Sequence, residues 1–264
     1  MDAATERETL IAALSWQIAM GADEAMLDAP VARAAPPPQP PGEVSQPPPG
    51  VALSAPVALR KLPPVGQAAA ALAAGATTLE ELRAAMAGFE GSPLRDTATN
   101  FVFSDGVPGA PVMIIGEAPG AEEDRQGKPF VGASGQLLDR MFASIGLSRA
   151  ENLYITNILP FRPPGNRTPT DAEIALFLPF VLRHVQLAAP RFLVLAGGVS
   201  AKGVLQAREG ITRLRGRWHQ VTVLDGTVFN ALPTWHPAYL LRNPISKRDS
   251  WADLRLLQRN MKNG

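Results

Sequence analysis

The sequence predicts an α/β fold, a three-layer α/β/α sandwich with a mostly parallel central sheet. Three continuous apolar runs point to it: PVMIIG at 111–116, NLYITNIL at 152–159 and RFLVLAG at 191–197. Runs this short and this uniformly apolar suit strands covered on both faces. The segments between them carry apolar residues at helical spacing, and strands alternating with helices build a parallel sheet.

In chain order, residues 6–27 place Leu10, Ile11, Leu14 and Ile18 at helical spacing, giving an amphipathic segment within 1–29 that is too short to form a core alone. It either docks on the main domain or binds a protein partner. Residues 30–64 are rich in Pro and Ala (APPPQPPGE, QPPPG, KLPP). Proline fixes φ and lacks an amide donor, so a flexible, solvated linker is expected there. The main domain then occupies 65–264. Helices are expected at 66–73 and 78–88, the second opened by Thr77 or Thr78 with Glu80 and Glu81 in its first turn. Residues 133–145 carry Leu137, Leu138, Met141, Phe142 and Ile145 on one helical face, and 170–188 opens with the capping pair Thr170 and Glu173. QVTVL and TVFNAL flank Asp225-Gly226, a hairpin-turn dipeptide, although one of these strands can equally join the main sheet. A last helix is expected at 249–262.

Composition narrows the chemistry. None of the 264 residues is cysteine, which excludes disulfides, thiolate zinc sites and thiolate-held iron–sulfur clusters. The three histidines, at 184, 219 and 236, are too few for a His-rich metal centre. No apolar run approaches the roughly 20 residues needed to span a bilayer. Acids at Asp2, Glu6 and Glu8 leave no basic-then-apolar leader pattern. A cytoplasmic, monomeric protein is expected. Residues 1–100 carry six Lys/Arg against eleven Asp/Glu, and the remainder nineteen against thirteen. The basic remainder fits a nucleic-acid partner or, equally, a mixed solvated surface.

In open α/β sheets ligands bind at the carboxyl ends of the strands, and three segments fall there. They are Gly116-Glu117-Ala118-Pro119-Gly120 followed by Glu122-Glu123-Asp124; Asn157 with Arg162-Pro163-Pro164-Gly165-Asn166-Arg167 beyond it; and Thr234-Trp235-His236-Pro237-Ala238. Singly, each has an ordinary structural use, as a tight turn, a solvated loop or a structural histidine. Together, GEAPG-x3-D-x2-G-x-PFVG-x2-G-x-LLD, TN, RPPGNR-x-P and HPA-x-LLR, in this order over 110–259, resemble the family 4 uracil-DNA glycosylases.

The resemblance implies a DNA repair enzyme that extrudes uracil from DNA, hydrolyses its N-glycosidic bond and leaves an abasic site. It sets Gly116, Ala118, Pro119 and Gly120 against the flipped nucleotide, with Glu117 positioning water. Phe130 would stack on the uracil ring, Asn157 would read its edge, and His236 would lie by O2. Arg162, Asn166 and Arg167 would hold their loop or contact DNA, and Leu240, Leu241 and Arg242 would form the wedge entering the duplex. The residue types suit these roles. Breaking the bond yields an anionic base, so a donor aimed at its oxygen acts chiefly in the transition state. An amide accepts from N3–H and donates to O4 of uracil, whereas cytosine presents the opposite pattern. Structural alternatives stay open: Glu117 holding loop amides, Phe130 as core, Asn157 capping a strand end.

The resemblance breaks at one point. Family 4 enzymes hold a four-iron cluster on four cysteines, and those positions fall here on Phe89, Ser92, Phe161 and Phe177. Neither Phe nor Ser replaces a thiolate on iron, so no cofactor or metal is expected. The three rings are expected to converge as an apolar plug, the alternative being that they are scattered. A relative that binds uracil or damaged DNA without cleaving it is the competing functional reading.

Overall fold

The computed structural model describes residues 64–262. The amphipathic segment expected over 6–27 lies outside the described residues, as does the linker expected over 30–64 except for Pro64. That residue opens a helix instead, at a position where a missing amide donor costs nothing. The first helices are α1 (Pro64–Gly75), α2 (Leu79–Gly88) and α3 (Leu94–Thr97). Of the two cap candidates for α2, Thr78 is the one used; its hydroxyl accepts from the Glu81 amide at 3.1 Å.

The chain continues through β1 (Ser104–Gly106), β2 (Val112–Gly116), α4 (Ala121–Gln126), α5 (Ala133–Ala143) and β3 (Leu153–Asn157). A 3-10 turn (Pro164–Asn166) leads to α6 (Asp171–Ala188), β4 (Phe192–Ala196), α7 (Gly198–Leu205) and α8 (Ile211–Leu214). Then come β5 (His219–Thr222), β6 (Val228–Thr234), α9 (Pro237–Arg242), a second 3-10 turn (Pro244–Ser246) and α10 (Lys247–Lys262). The pair expected to cap α6 forms: Thr170 Oγ1 accepts from the Glu173 amide at 3.2 Å, and Glu173 Oε2 accepts from the Thr170 amide at 2.8 Å.

The sheet has the order β1-β3-β2-β4-β6-β5. Its four inner strands are parallel, and β1 and β5 are antiparallel edges. Both readings of the hairpin hold at once, since β6 pairs with β5 across the Asp225-Gly226 turn and with β4 inside the main sheet. Strand pleating sends Met113, Ile115, Leu193 and Leu195 to one face, where the cluster includes residues of α1, α2 and α6. Val112, Ile114, Ile155 and Val194 point to the other face and pack with α5 and α10. These are the three layers. Among the described residues no helix is long and apolar enough to cross a membrane.

The rings at the positions where the resemblance sets cluster cysteines converge. Phe177, on α6, lies 6.1 Å from Phe89 and 6.3 Å from Phe161, centroid to centroid and near edge-to-face, and all three are buried. Phe180 closes the group at 5.5 Å from Phe89, and Phe101 adds a ring 5.5 Å from Phe161. Buried Ser92 turns its hydroxyl to the Leu94 amide at 3.4 Å. Iron–sulfur clusters are held by thiolate or imidazole; three rings and one engaged hydroxyl do not fit one. Each buried ring contributes about 1.5–3 kcal/mol, with about 0.5–1.5 more for each aromatic pair. Phe177→Ala is therefore expected to lower stability by about 3–5 kcal/mol in urea unfolding. A loss below about 1 kcal/mol would show that the plug is not structural.

Candidate active site

Parallel pairing sets Gly116, the last residue of β2, beside Asn157, the last of β3. A Cβ on residue 116 would lie 2.3 Å from Asn157 Oδ1 and 2.6 Å from the Phe130 ring. No side chain fits there, so only glycine lets amide and ring approach this closely. Beyond the end of β4, Gly197 adopts φ +96, and a Cβ there would meet His236 Cβ at 2.9 Å. Two glycines at neighbouring strand tips thus make room for a ring, an amide and an imidazole. They wall a cleft of about 460 Å³. Of the residues singled out in the sequence, Glu117, Ala118, Pro119, Gly120, Phe130, Asn157, Asn166, Arg167, His236 and Arg242 line it. Gly116 is buried and does not line it. The Phe130 and His236 rings stand 5.5 Å apart at 30°.

Two side chains of the cleft keep their polar atoms unengaged among the described residues, while Glu123, Asn166 and Arg167 are hydrogen-bonded. The Asn157 amide is 4% exposed and has no hydrogen-bond partner among the described residues. Glu117 has none either, and burial raises its carboxyl above the usual 4.5. His236 caps α9: its Nδ1 accepts from the Ala238 amide at 3.1 Å. That bond leaves the single proton of the neutral ring on Nε2. Burial lowers the imidazole to about 4, with Arg242 pushing the same way and Glu123 opposing, so the ring is neutral near pH 7.

Several residues named in the strand-tip segments were given no role from the sequence, and their partners Arg215 and Asp253 were not named at all. Glu123 is buried, and its carboxylate binds three loop amides, those of Gly120 (3.1 Å), Val131 (2.9 Å) and Gly132 (2.8 Å). The next residue, Asp124, accepts from the amides of Thr99 (2.8 Å) and Asn100 (2.9 Å). Two residues before His236, Thr234 Oγ1 donates to Asp253 at 2.7 Å, and Arg215 Nη2 donates to the same carboxylate at 2.8 Å. The sequence does carry a signal for Glu123: it stands three residues after Gly120 at a helix start, the spacing of a capping acid. Ser134, Thr168 and Tyr239 also line the cleft, and nothing in their sequence context marks them.

The residues expected to face DNA divide. Arg162 stays off the cleft surface, donating to Asn166 Oδ1 at 2.7 Å and lying 3.9 Å from Asp124. Arg167 lines the cleft but binds both oxygens of Glu173, at 2.6 and 2.9 Å. Those bonds hold Glu173 down to about 2. Leu240 requires a correction: it is 0% exposed, packed inside α9, and cannot enter a duplex as the structure stands. Leu241, its neighbour, is 44% exposed, and Arg242 is exposed with no salt bridge or hydrogen bond among the described residues. Ile245, in the following 3-10 turn, is 89% exposed, the most exposed large apolar side chain among the described residues.

A family model for the uracil DNA glycosylase superfamily matches residues 103–255. Similar proteins include the type-4 uracil-DNA glycosylase of Pyrobaculum aerophilum, 34% identical over 67% of this chain and 91% of its own length. The type-4 uracil-DNA glycosylase of Sulfurisphaera tokodaii is 36% identical over 63% of this chain and 77% of its own. That of Thermotoga maritima is 38% identical over 57% and 77%. The family match spans more than half of the sequence, and its motifs meet at one cleft on the strand tips: this chain belongs to the uracil-DNA glycosylase superfamily, in its family 4 branch.

Proposed function

We propose that this chain is a monofunctional uracil-DNA glycosylase, which extrudes deoxyuridine from DNA and hydrolyses the C1′–N1 bond to leave uracil and an abasic site. The observation that carries the reading is that Phe130, Asn157 and His236, from three separate segments, line one cleft with the amide unengaged. Uracil stacks on Phe130, a contact worth about 1–3 kcal/mol. The Asn157 amide accepts from N3–H and donates to O4. Cytosine would leave both groups unpaired, at about 1–3 kcal/mol each. As C1′–N1 lengthens, negative charge gathers on O2 and the Nε2–H of neutral His236 donates to it. Water positioned by Glu117 adds its oxygen to C1′. Its proton passes to the carboxylate and through solvent to the departing base.

On the DNA side, Leu241 and Ile245 are the apolar residues available to enter the stack, with Arg242 beside them for a phosphate. No step in this scheme calls for a metal, and the aromatic plug supports a reading in which no iron–sulfur cluster takes part.

Three measurements test the reading. Free uracil is expected from a uracil-containing oligonucleotide, with Asn157→Ala and His236→Ala each slowing its release by about 100-fold or more. Binding of that oligonucleotide with no uracil released would identify a non-catalytic relative and overturn the proposal. In a rate–pH profile, His236, held near 4, gives no inflection at 6.5. Glu117 must be ionised to act, so the rate falls with decreasing pH through a value above 4.5, and Glu117→Gln removes that limb. A limb at 6.5 that survives Glu117→Gln would refute the assignment. Finally, Leu241→Ala and Ile245→Ala are expected to slow uracil release from duplex about tenfold more than from single strands. Equal losses on both would exclude a wedge role.

A further inference from the structure

We propose that Arg149 is a positioning residue that holds Phe130 in the orientation base stacking needs; the inference rests on the proposed role of Phe130. Phe130 has φ +53, left-handed backbone that an aromatic residue adopts only when its surroundings impose it. Two charged groups impose it from opposite sides. Glu123 binds the amides that follow, at Val131 and Gly132. Arg149 binds the carbonyls, donating from Nη1 to Pro129 O at 3.1 Å and from Nη2 to Phe130 O at 2.8 Å.

The guanidinium has five N–H groups, and all five are used. Besides the two carbonyls, Nη1 donates to Asp105 Oδ2 at 2.9 Å, while Nε and Nη2 donate to Asp139 Oδ1 at 3.0 and 2.8 Å. Asp105 lies on the edge strand β1 and Asp139 on α5, so the fork is anchored to two fixed elements. Gly135, in the first turns of α5, seals the arrangement: a Cβ there would lie 1.9 Å from Phe130 O. The ring thus held stands against His236 and Gly116 on the cleft wall. Without the two carbonyl bonds the 129–131 peptides relax toward ordinary φ, and the ring leaves the position from which it meets the base. Arg149 touches no substrate; it acts through the backbone of another residue, 19 positions away in sequence.

Lysine tests this directly. It keeps the positive charge between Asp105 and Asp139 but has three donors at one nitrogen and cannot bridge both carbonyls and both acids. Arg149→Lys is expected to lower kcat/KM for uracil release at least tenfold, with melting unchanged within a few degrees. Phe130→Leu should lower it similarly. The decisive measurement is the double variant: if Arg149 acts through Phe130, Arg149→Lys in the Phe130→Leu background costs less than twofold more. Losses that multiply, or full activity in Arg149→Lys, overturn the inference while leaving the glycosylase reading intact. A wild-type protein that releases no uracil overturns both. Should Arg149→Lys fail to fold, Asp139→Asn, which weakens the anchor aiming the guanidinium at the two carbonyls and so loosens those bonds, carries the same cycle with the same two outcomes.

Discussion

Strands β2 and β3 end level with one another, and the register that pairs Gly116 with Asn157 leaves no space for a side chain at the first of these positions. The rest of the cleft follows from that crowding. Because residue 116 has no Cβ, the Phe130 ring and the Asn157 amide occupy what would be its side-chain volume, and a ring and an amide stand side by side on the cleft wall. At the neighbouring strand the same solution recurs, with Gly197 giving way to His236. A doubly covered parallel sheet supplies the rigidity this needs, since its strand tips are fixed by hydrogen bonds on both sides.

The loops at those tips are held chiefly by buried acids and one arginine acting on backbone groups. Glu123 gathers three amides, Asp124 two and Arg149 two carbonyls. A charged group bound to several peptide groups makes stronger hydrogen bonds than a neutral one and tolerates burial when fully satisfied. Glu117 and Asn157, whose polar groups have no partner among the described residues, sit inside this rigid frame. Fixed loops and unengaged side chains are what preorganisation requires: the supporting groups do not have to move when charge develops on the base.

Much of this was legible in the sequence. The apolar runs located β2, β3 and β4 because doubly buried strands carry no polar face, and the Thr170–Glu173 spacing located the start of α6. The pocket residues were found through the combination of motifs, since no one of them is distinctive. What escaped notice was of two kinds. Short elements such as β1, α4 and α8 have too few residues for any period to register. Long-range contacts such as Arg149 to Phe130, or Thr234 to Asp253, pair residues that chain proximity does not relate. The misplacement of Leu240 has a different cause. In a helix of six residues adjacent positions point about 100° apart, so the sequence alone could not say whether Leu240 or Leu241 faces outward.

Five phenylalanines, Phe89, Phe101, Phe161, Phe177 and Phe180, make one corner of the domain. The wall beside the Arg162–Arg167 loop is therefore hydrocarbon that the polypeptide itself carries. Molecular oxygen finds no thiolate in such a wall to attack, since the sequence has no cysteine.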